Sequence, residues 1–322
     1  MSNALSNIQN FLDDELKEFN KRLKKDISSK VLIVDLITKY ILYTKGKQLR
    51  PLLVLLSAKV CGGITERTYR AASLVEILHT ATLVHDDVVD EAEKRRGFPS
   101  LYYIWKSKVS VLMGDYLLSK GLMVAVDNGD YDFLQSITHT VKRMAEGELL
   151  QIGKAKKLDL DIDTYYKIIS DKTASLISTC CEVGAMSASN DQELRLKLKE
   201  VGEAIGIAFQ IKDDILDFVG SSSGKNKGAD LKEKKFTLPL LYALSVAEKS
   251  EAKKIKYLIN KKNISSFDTV LEFINKYQGL EYAQKKAEEI AEQAKKTICS
   301  ITDDKSAKLF CELIDFIVTR NK

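Results

Sequence analysis

Apolar residues recur at intervals of three and four along most of the chain, with polar residues between them. This spacing places apolar side chains on one face of an α-helix, whose period is about 3.6 residues. Helix-breaking proline is rare, with 3 residues among 322. No stretch alternates between apolar and polar positions as a half-buried strand does. The pattern therefore predicts an all-α protein.

Turn-forming residues divide this pattern into elements. Pro51 suits a first helical turn, and Gly62 and Gly63 suit a helix end. We expect helices over approximately residues 4–25, 30–44, 51–60, 66–91, 107–126, 130–154, 163–188, 191–218, 236–247, 250–260, 266–277 and 279–318. Residues 220–228 form the one long basic loop. No linker separates domains, so we expect residues 1–322 to form a single helical domain.

Composition and charge narrow the class of protein. A formal charge of +5, from 50 basic and 45 acidic side chains, does not indicate a nucleic-acid surface. The five cysteines lack metal-binding spacing and fit a reducing cytosol. No signal sequence opens the chain, and charges such as Asp35 and Lys39 interrupt the apolar stretches. We therefore expect a cytoplasmic protein without a transmembrane segment.

Two acidic pentads, DDVVD at 86–90 and DDILD at 213–217, each close an apolar helix. In helical geometry Asp86 and Asp90 project within about 40° of each other, and Asp87 lies about 100° from Asp86. Three carboxylates thus share one face, and the same holds for Asp213, Asp214 and Asp217.

A single pentad of this kind is equally well explained as a solvated acidic turn. Two pentads in matching apolar contexts favour another interpretation, because partly buried carboxylates repel one another and require cations. An oxygen-only ligand set suits Mg²⁺ bridging carboxylates to phosphates. Basic residues that could bind phosphate flank both pentads: Lys47, Arg50, Arg95, Arg96, Lys225 and Lys235.

These motifs match those of a known family over residues 40–245. They are GKQLRP at 46–51, EILHTATLVHDDVVD at 76–90, RRG at 95–97, GDY at 114–116, GE at 147–148, KT at 172–173, QIKDDILD at 210–217 and TLP at 237–239. The sequence resembles the trans-isoprenyl diphosphate synthases, and within them the bacterial polyprenyl synthases of the octaprenyl type.

The resemblance implies an isoprenoid-synthase helical bundle with a central cavity, a homodimer, and two pentads that face each other across the cavity. It assigns Mg²⁺, as three ions with the allylic diphosphate bound, to six aspartates: Asp86, Asp87, Asp90, Asp213, Asp214 and Asp217. It assigns the allylic diphosphate to Arg95, Lys172, Thr173, Gln210, Lys225 and Lys235, with Lys172 also catalytic. It assigns isopentenyl diphosphate to Lys47, Arg50, His79 and Arg96.

The implied reaction ionises the allylic C–O bond, joins the cation to isopentenyl diphosphate and removes a proton, with the released diphosphate as the base. The chain departs from the family pattern around Lys45 and in the loop before Lys235, where a proline and a glycine are common. The departures leave both pentads intact and put the exact roles of Lys227, Lys234 and Lys235 in question.

Product length depends on residues before the first pentad. Ala81 and Thr82 are small where short-chain members of the family tend to have an aromatic residue, which leaves a product tunnel open. The helix from Ala71 to Asp86 could flank about 22 Å of tunnel, long enough for several isoprene units, and we expect a product near C40, within about C35–C50, with farnesyl diphosphate taken as the primer. Candidate floor residues are Met113, Leu117, Leu122 and Met123.

Other functions stay open at this point. A farnesyl or geranylgeranyl diphosphate synthase would share the motifs and make a shorter product. A terpene cyclase would replace the second pentad with an Asn/Ser/Glu metal motif. A non-catalytic subunit of a heteromeric prenyltransferase would be expected to lack one pentad, and this chain has both.

Overall fold

Helices account for nearly all the regular structure of the chain, as the sequence pattern predicts. The computed structural model describes residues 3–44, 46–157, 161–220, 228, 231, 235–260 and 267–320. The helices are α1 (Asn3–Phe11), α2 (Asp13–Asp26), α3 (Leu32–Tyr43), α4 (Leu49–Val60), α5 (Glu66–Val89), α6 (Leu101–Val126), α7 (Tyr131–Lys157), α8 (Ile162–Ile169), α9 (Ser175–Ala188), α10 (Gln192–Val219), α11 (Leu238–Val246), α12 (Lys249–Asn260), α13 (Phe267–Lys276), α14 (Gly279–Ile301) and α15 (Lys305–Thr319).

Side-chain caps fix several helix starts. Thr65 accepts a hydrogen bond from the Thr68 backbone N–H, and the Thr68 hydroxyl accepts one from the Thr65 N–H, so a reciprocal capping box begins α5. Ser100 caps α6 in the same way by accepting from the Tyr103 N–H. Each cap satisfies backbone donors that have no partner inside the helix.

The chain divides into two compact units. The first contains Asn3–Thr138 and Cys180–Leu198, and the second contains His139–Thr179 and Lys199–Lys322. The prediction of one domain over residues 1–322 stays a prediction.

In the first unit, α5 packs closely against α6 because α6 carries glycines at the contact. A Cβ atom on Gly114 would lie 2.2 Å from Nε2 of His85, and one on Gly121 would lie 3.1 Å from Cγ of Leu78. The core around these helices is apolar, and α4 buries nine of its twelve residues. This packing positions the end of α5, where the first pentad lies.

In the second unit, α14 and α15 form a helical hairpin. The buried face of α14 consists largely of alanines at spacings of three or four residues, which allows close helix packing: Ala283, Ala287, Ala291 and Ala294. Tyr242 of α11 stacks on Tyr282 of α14 with ring centroids 3.8 Å apart.

The structure differs from the predicted elements at four places. The helix predicted over 279–318 is interrupted at Thr302, which is extended, and Asp304 caps a new helix by accepting from the Ala307 N–H. The helix predicted over 4–25 is interrupted at Leu12. A short helical segment capped by Ser100 precedes the helix predicted from residue 107, and the non-helical residue Lys106, with φ 65° and ψ 173°, separates the two parts of α6. The segment predicted as one helix over 163–188 contains a π-helical turn, Ser170–Ala174.

A short β-hairpin is a further difference from the purely helical prediction. Strands β1 (Lys94–Arg95) and β2 (Phe98–Pro99) pair antiparallel. The two turn residues have positive φ, 53° at Arg96 and 84° at Gly97, as a tight two-residue hairpin requires. Two-residue strands are too short to produce an alternating sequence pattern.

Among the described helices, α6 is the one whose length and composition alone would suffice to cross a membrane. It carries charged residues at Lys106, Lys108, Asp115 and Lys120. Apolar core helices pass the same criterion, so the finding is weak evidence for a membrane span.

Candidate active site

The first pentad lies at the C-terminal end of α5, within the first unit. Asp86 and Asp90 are exposed, whereas Asp87 is 3% exposed. The expectation that three carboxylates share one face therefore holds for Asp86 and Asp90 and not for Asp87. The step of about 100° from Asp86 to Asp87 turns the second carboxylate into the protein.

Asp87 is held by the β-hairpin. Nε of Arg95 donates to Oδ1 of Asp87 over 2.6 Å. Burial raises the pKa of the Asp87 carboxyl, and the Arg95 guanidinium opposes that rise. The bond occupies one of the five N–H donors of Arg95, so this arginine can also contact a phosphate.

The hairpin brings Arg96 to the basic motif that precedes α4. A Cβ atom on Gly46 would lie 2.8 Å from the Arg96 guanidinium carbon, so a larger residue there would displace the end of the Arg96 side chain. Lys47 follows directly and is exposed. Two parts of the predicted isopentenyl diphosphate site, Lys47 and Arg96, thus lie in one region of the first unit.

Arg50 and His79 lie at the same place. Burial lowers the pKa of His79 well below its ordinary value, and the charges of Arg50, Arg96 and Arg95 lower it further. Burial also lowers the pKa of Arg50. His79 is consequently neutral at pH 7 among three arginines.

Two buried nitrogens of this cluster make no hydrogen bond to any atom of the described part of the chain. They are Nε of Arg50 and Nδ1 of His79. Buried polar atoms of proteins are nearly always hydrogen-bonded, so these two mark a place for a ligand. The positive charge that surrounds them indicates an anion.

Glu76, the first residue of the motif at 76–90, is a member of the cluster to which the sequence assigned no role. It is 9% exposed, lies one helical turn before His79, and its charge opposes the lowering of the Arg50 pKa by burial. Together with Thr80 and Asp87 it also lines a cavity of about 80 Å³ on the side of α5 that carries Asp87.

The second pentad lies near the C-terminal end of α10, within the second unit. Asp214 is 3% exposed and accepts hydrogen bonds from the Tyr165 hydroxyl at 2.6 Å and from Nε2 of Gln210 at 2.9 Å. Oε1 of Gln210 accepts from the Thr173 hydroxyl at 3.0 Å. Thr173 and Gln210, both predicted site residues, thus belong to a chain of hydrogen bonds that ends on Asp214.

Asp213 is paired with an arginine from the C-terminal end of the chain. Nη2 of Arg320 donates to Oδ1 of Asp213 over 2.8 Å and to the Phe209 carbonyl over 3.2 Å. The guanidinium also lies over the Phe209 ring, 4.0 Å from its centroid. Arg320 stands 107 residues from Asp213, and no local sequence signal indicates the contact.

Asp217 is half-buried, and its carbonyl accepts from the Gly228 N–H at 3.1 Å. Gly228 has a φ of 71°, and a Cβ atom there would lie 2.4 Å from the Phe267 ring. Lys235 is half-buried, at the start of the segment that leads into α11. Lys225, Lys227 and Lys234 lie outside the described residues.

Lys172 lies on the π-helical turn Ser170–Ala174. Such turns are often found at functional sites, because they displace side chains from regular helical positions. Nζ of Lys172 contacts Oε2 of Glu148 at 2.5 Å and Oε1 of Gln151 at 3.4 Å, both on α7. Sequence reasoning identified Lys172 and placed Glu148 in the GE motif without a role, whereas Gln151 was not predicted.

The chain-length candidates occupy the turn before the first pentad. Ala81 is 2% exposed, and the Thr82 hydroxyl donates to the His79 carbonyl over 2.8 Å. Their effect on product length stays a prediction.

Within the described ranges, no three His, Cys, Asp or Glu side chains converge closely enough to hold a metal ion. Proteins usually bind Mg²⁺ through one or two carboxylates, with phosphate oxygens and water completing the shell. The exposed carboxylates Asp86 and Asp90 are suited to such a shared site.

Comparison with known proteins decides the family. The sequence profile named Polyprenyl synthetase matches residues 32–277. The chain belongs to this family. It is therefore a prenyltransferase.

Two similar proteins of this family are named for long products. The chain is 36% identical over 275 residues to the all-trans-nonaprenyl-diphosphate synthase (geranyl-diphosphate specific) of Rhodobacter capsulatus, covering 84% of each chain. It is 32% identical over 293 residues to the octaprenyl diphosphate synthase of Escherichia coli, covering 90% of this chain and 91% of the other. The octaprenyl-type resemblance is thus confirmed.

The fold agrees with a solved relative. The polyprenyl synthase from Caulobacter crescentus, crystallised with calcium and isoprenyl diphosphate, superposes with a TM-score of 0.89 at 31% identity. The match covers 99% of this chain and 98% of that one. The all-α class predicted from the sequence is confirmed.

Proposed function

We propose that this prenyltransferase elongates farnesyl diphosphate with isopentenyl diphosphate units to a product near C40, within about C35–C50, as the tunnel length along α5 suggests. The observation that carries the proposal is the cluster of Arg50, His79, Arg95 and Arg96, with two buried nitrogens that lack partners among the described residues. Relatives named for octaprenyl and nonaprenyl products support a long chain.

The cluster suits the diphosphate of isopentenyl diphosphate. Several guanidinium groups around a neutral histidine provide charge-assisted hydrogen bonds, which are stronger than neutral ones. Nε of Arg50 donates to a phosphate oxygen, and His79 binds one by donating from an imidazole nitrogen. The charge of Glu76 opposes the lowering of the Arg50 pKa by burial and so favours the charged guanidinium.

The pentads suit the allylic diphosphate with Mg²⁺, in agreement with the calcium and isoprenyl diphosphate named for the Caulobacter crescentus relative. When bound, Mg²⁺ stabilises the negative charge that develops on the departing diphosphate. Asp86, Asp90 and Asp217 supply carboxylate oxygens, and Lys172 and Arg95 supply positive charge. Asp87 and Asp214 hold the surrounding side chains through Arg95 and Gln210.

Ala81 and Thr82 are proposed to set the length of the product tunnel. We expect Ala81→Phe to shorten the product by several isoprene units, because a phenyl ring occupies space that the methyl group leaves to the chain. The matched variant Thr82→Ala removes volume and should not shorten it. Product sizes are read by thin-layer chromatography after dephosphorylation, and an unchanged length in Ala81→Phe would show that Ala81 does not line the tunnel.

A homodimer is proposed from the apolar surface of α6. This helix exposes large apolar side chains that a lone chain would leave in water: Ile104, Val111, Leu112, Met123 and Val126. Exposed apolar patches of this kind are typical of protein interfaces.

The elongation assay separates this proposal from its alternatives. The purified chain alone is incubated with Mg²⁺, farnesyl diphosphate and labelled isopentenyl diphosphate. A labelled polyprenyl diphosphate series ending near C40 is expected. A product that stops at about four isoprene units would favour the short-chain synthase, a cyclic hydrocarbon the cyclase, and no incorporation the non-catalytic subunit.

A further inference from the structure

Two cysteines of the second unit touch each other. The sulfur atoms of Cys299 and Cys311 lie 3.7 Å apart. Cys299 is exposed on the last turns of α14, and Cys311 is half-buried on α15. The remaining cysteines, Cys61, Cys180 and Cys181, are buried. The contact thus joins a thiol that reagents can reach to one that lies beneath it.

The helices around the pair are held in register. Nζ of Lys295 on α14 contacts Oδ1 of Asp315 on α15 at 2.8 Å, and Sγ of Cys311 lies 4.0 Å from the Lys295 carbonyl. Asp304 caps α15 and fixes the short connection between the helices. A disulfide requires the sulfurs to approach from 3.7 Å to about 2.05 Å, a change that side-chain rotation and small helix movements can supply.

We propose that Cys299 and Cys311 form a reversible disulfide that links α14 to α15 when the protein meets a disulfide oxidant such as oxidised glutathione. The Cys299 thiolate attacks one glutathione sulfur and releases the other glutathione as a thiol. Cys311 then loses its proton to water, and its sulfur attacks Sγ of Cys299 and releases the second glutathione. Two protein thiols are oxidised, and one oxidised glutathione is reduced to two molecules of the thiol.

The order of these steps follows from the surroundings of the two thiols. Burial raises the pKa of Cys311 to about 12, and hydrogen bonding with Cys299 contributes to the rise. Cys311 is consequently protonated at neutral pH, and the thiolate is the reactive form. The exposed Cys299 therefore reacts first, and Cys311 resolves the mixed disulfide.

The consequence is a covalent bond within the helical hairpin that leads to Arg320. Helix α15 ends at Thr319, and the next residue, Arg320, holds Asp213 of the second pentad. Oxidation therefore fixes the helix from which Arg320 extends. The proposal does not rest on the proposed function, because the disulfide is detected directly.

The test uses the full chain in its native state. Wild type is equilibrated with a mixture of reduced and oxidised glutathione, the remaining thiols are trapped with N-ethylmaleimide, and digested peptides are identified by mass spectrometry. Cys311→Ser is the matched variant, since it retains the exposed thiol and lacks the resolving one. Cys299→Ser retains the resolving thiol of Cys311 and lacks the exposed one.

Wild type is expected to yield linked peptides containing Cys299 and Cys311, with the loss of two hydrogens and reversal by dithiothreitol. In wild type the linked form should exceed the glutathione adduct by at least about tenfold. Cys311→Ser should accumulate the adduct on Cys299, and Cys299→Ser should accumulate none on Cys311. Any of three results would overturn the proposal. They are a stable adduct on Cys299 in wild type, no oxidation of either thiol, and a link that forms only after unfolding in urea.

Discussion

Neighbouring aspartates of each pentad have different surroundings at the scale of single residues. Asp87 and Asp214, the second residue of each pentad, are both 3% exposed and bind protein side chains. Asp86 and Asp90 are exposed, and Asp213 is half-buried beside Arg320. We infer that the second aspartate of each pentad supports the site and that Asp86, Asp90 and Asp217 face the ligand.

Two substitutions in the first pentad test this division. Asp87→Asn should lower the free energy of unfolding by about 1–3 kcal/mol, because the Arg95 charge then lacks its carboxylate partner. Asp86→Asn should change it by no more than about 0.5 kcal/mol, since its side chain is exposed. Both should reduce prenyl transfer. Urea unfolding measures the difference, and equal destabilisation would contradict the division.

His79 predicts a pH dependence of stability. Its folded-state pKa lies well below the ordinary value because of burial and the charges of Arg50, Arg96 and Arg95, with Glu76 one turn away. The unfolded chain therefore binds the proton more readily than the folded one. The free energy of unfolding keeps its full value above about pH 6.5 and falls by up to about 1.4 kcal/mol per pH unit below it.

The measurement compares wild type with His79→Asn in urea at about pH 7.5 and about pH 5.5, on either side of the ordinary histidine pKa. Wild type should lose more stability than the variant on acidification. An equal loss in both proteins would show that His79 does not titrate in the way its surroundings imply.

At the scale of elements, close helix contacts depend on particular glycines. Gly147 of α7 faces the π-helical turn, and a Cβ atom there would lie 2.9 Å from Cβ of Asp171 and 3.0 Å from the Lys172 backbone nitrogen. Gly153 lies on the same helix, and a Cβ atom there would meet nothing within 4 Å. The two glycines therefore form a matched pair.

Gly147→Ala should displace the turn that carries Lys172 and lower kcat, because this lysine is proposed to bind the allylic diphosphate. Gly153→Ala should leave kcat unchanged and stabilise the protein by up to about 1 kcal/mol, since alanine is the better helix former. Steady-state kinetics and urea unfolding of both variants provide the check. A Gly147→Ala enzyme with wild-type kcat would argue against a role for the turn.

Sequence periodicity was sufficient for most helices and insufficient at their interruptions. The break at Thr302 lies inside an amphipathic pattern that continues on both sides. It could have been predicted only from Asp304, which caps the start of the next helix. The strands at Lys94–Arg95 and Phe98–Pro99 depend on two consecutive positive φ angles at Arg96 and Gly97. Arginine rarely adopts a positive φ angle, and no pattern in the sequence indicates one at Arg96.

At the scale of the whole molecule, motifs identified the reaction class but not the partners that support each site residue. Family membership followed from ordered motifs over residues 40–245, and the profile match over 32–277 confirms it. Tyr165 and Arg320 were not predicted, and Glu76 was placed in a motif without a role. Each acts through a contact made in three dimensions, for which a single sequence contains no pattern.

The central claim is that Arg50, His79 and Arg96 form the isopentenyl diphosphate site, and substrate binding tests it most directly. Isopentenyl diphosphate is titrated calorimetrically into wild type, Arg50→Met, Arg96→Met and the control Lys24→Met, which removes an exposed lysine of α2. The two arginine variants should each bind at least about tenfold more weakly than wild type, and the control should bind equally well. Unchanged affinity in both arginine variants would contradict the assignment and the function proposed from it.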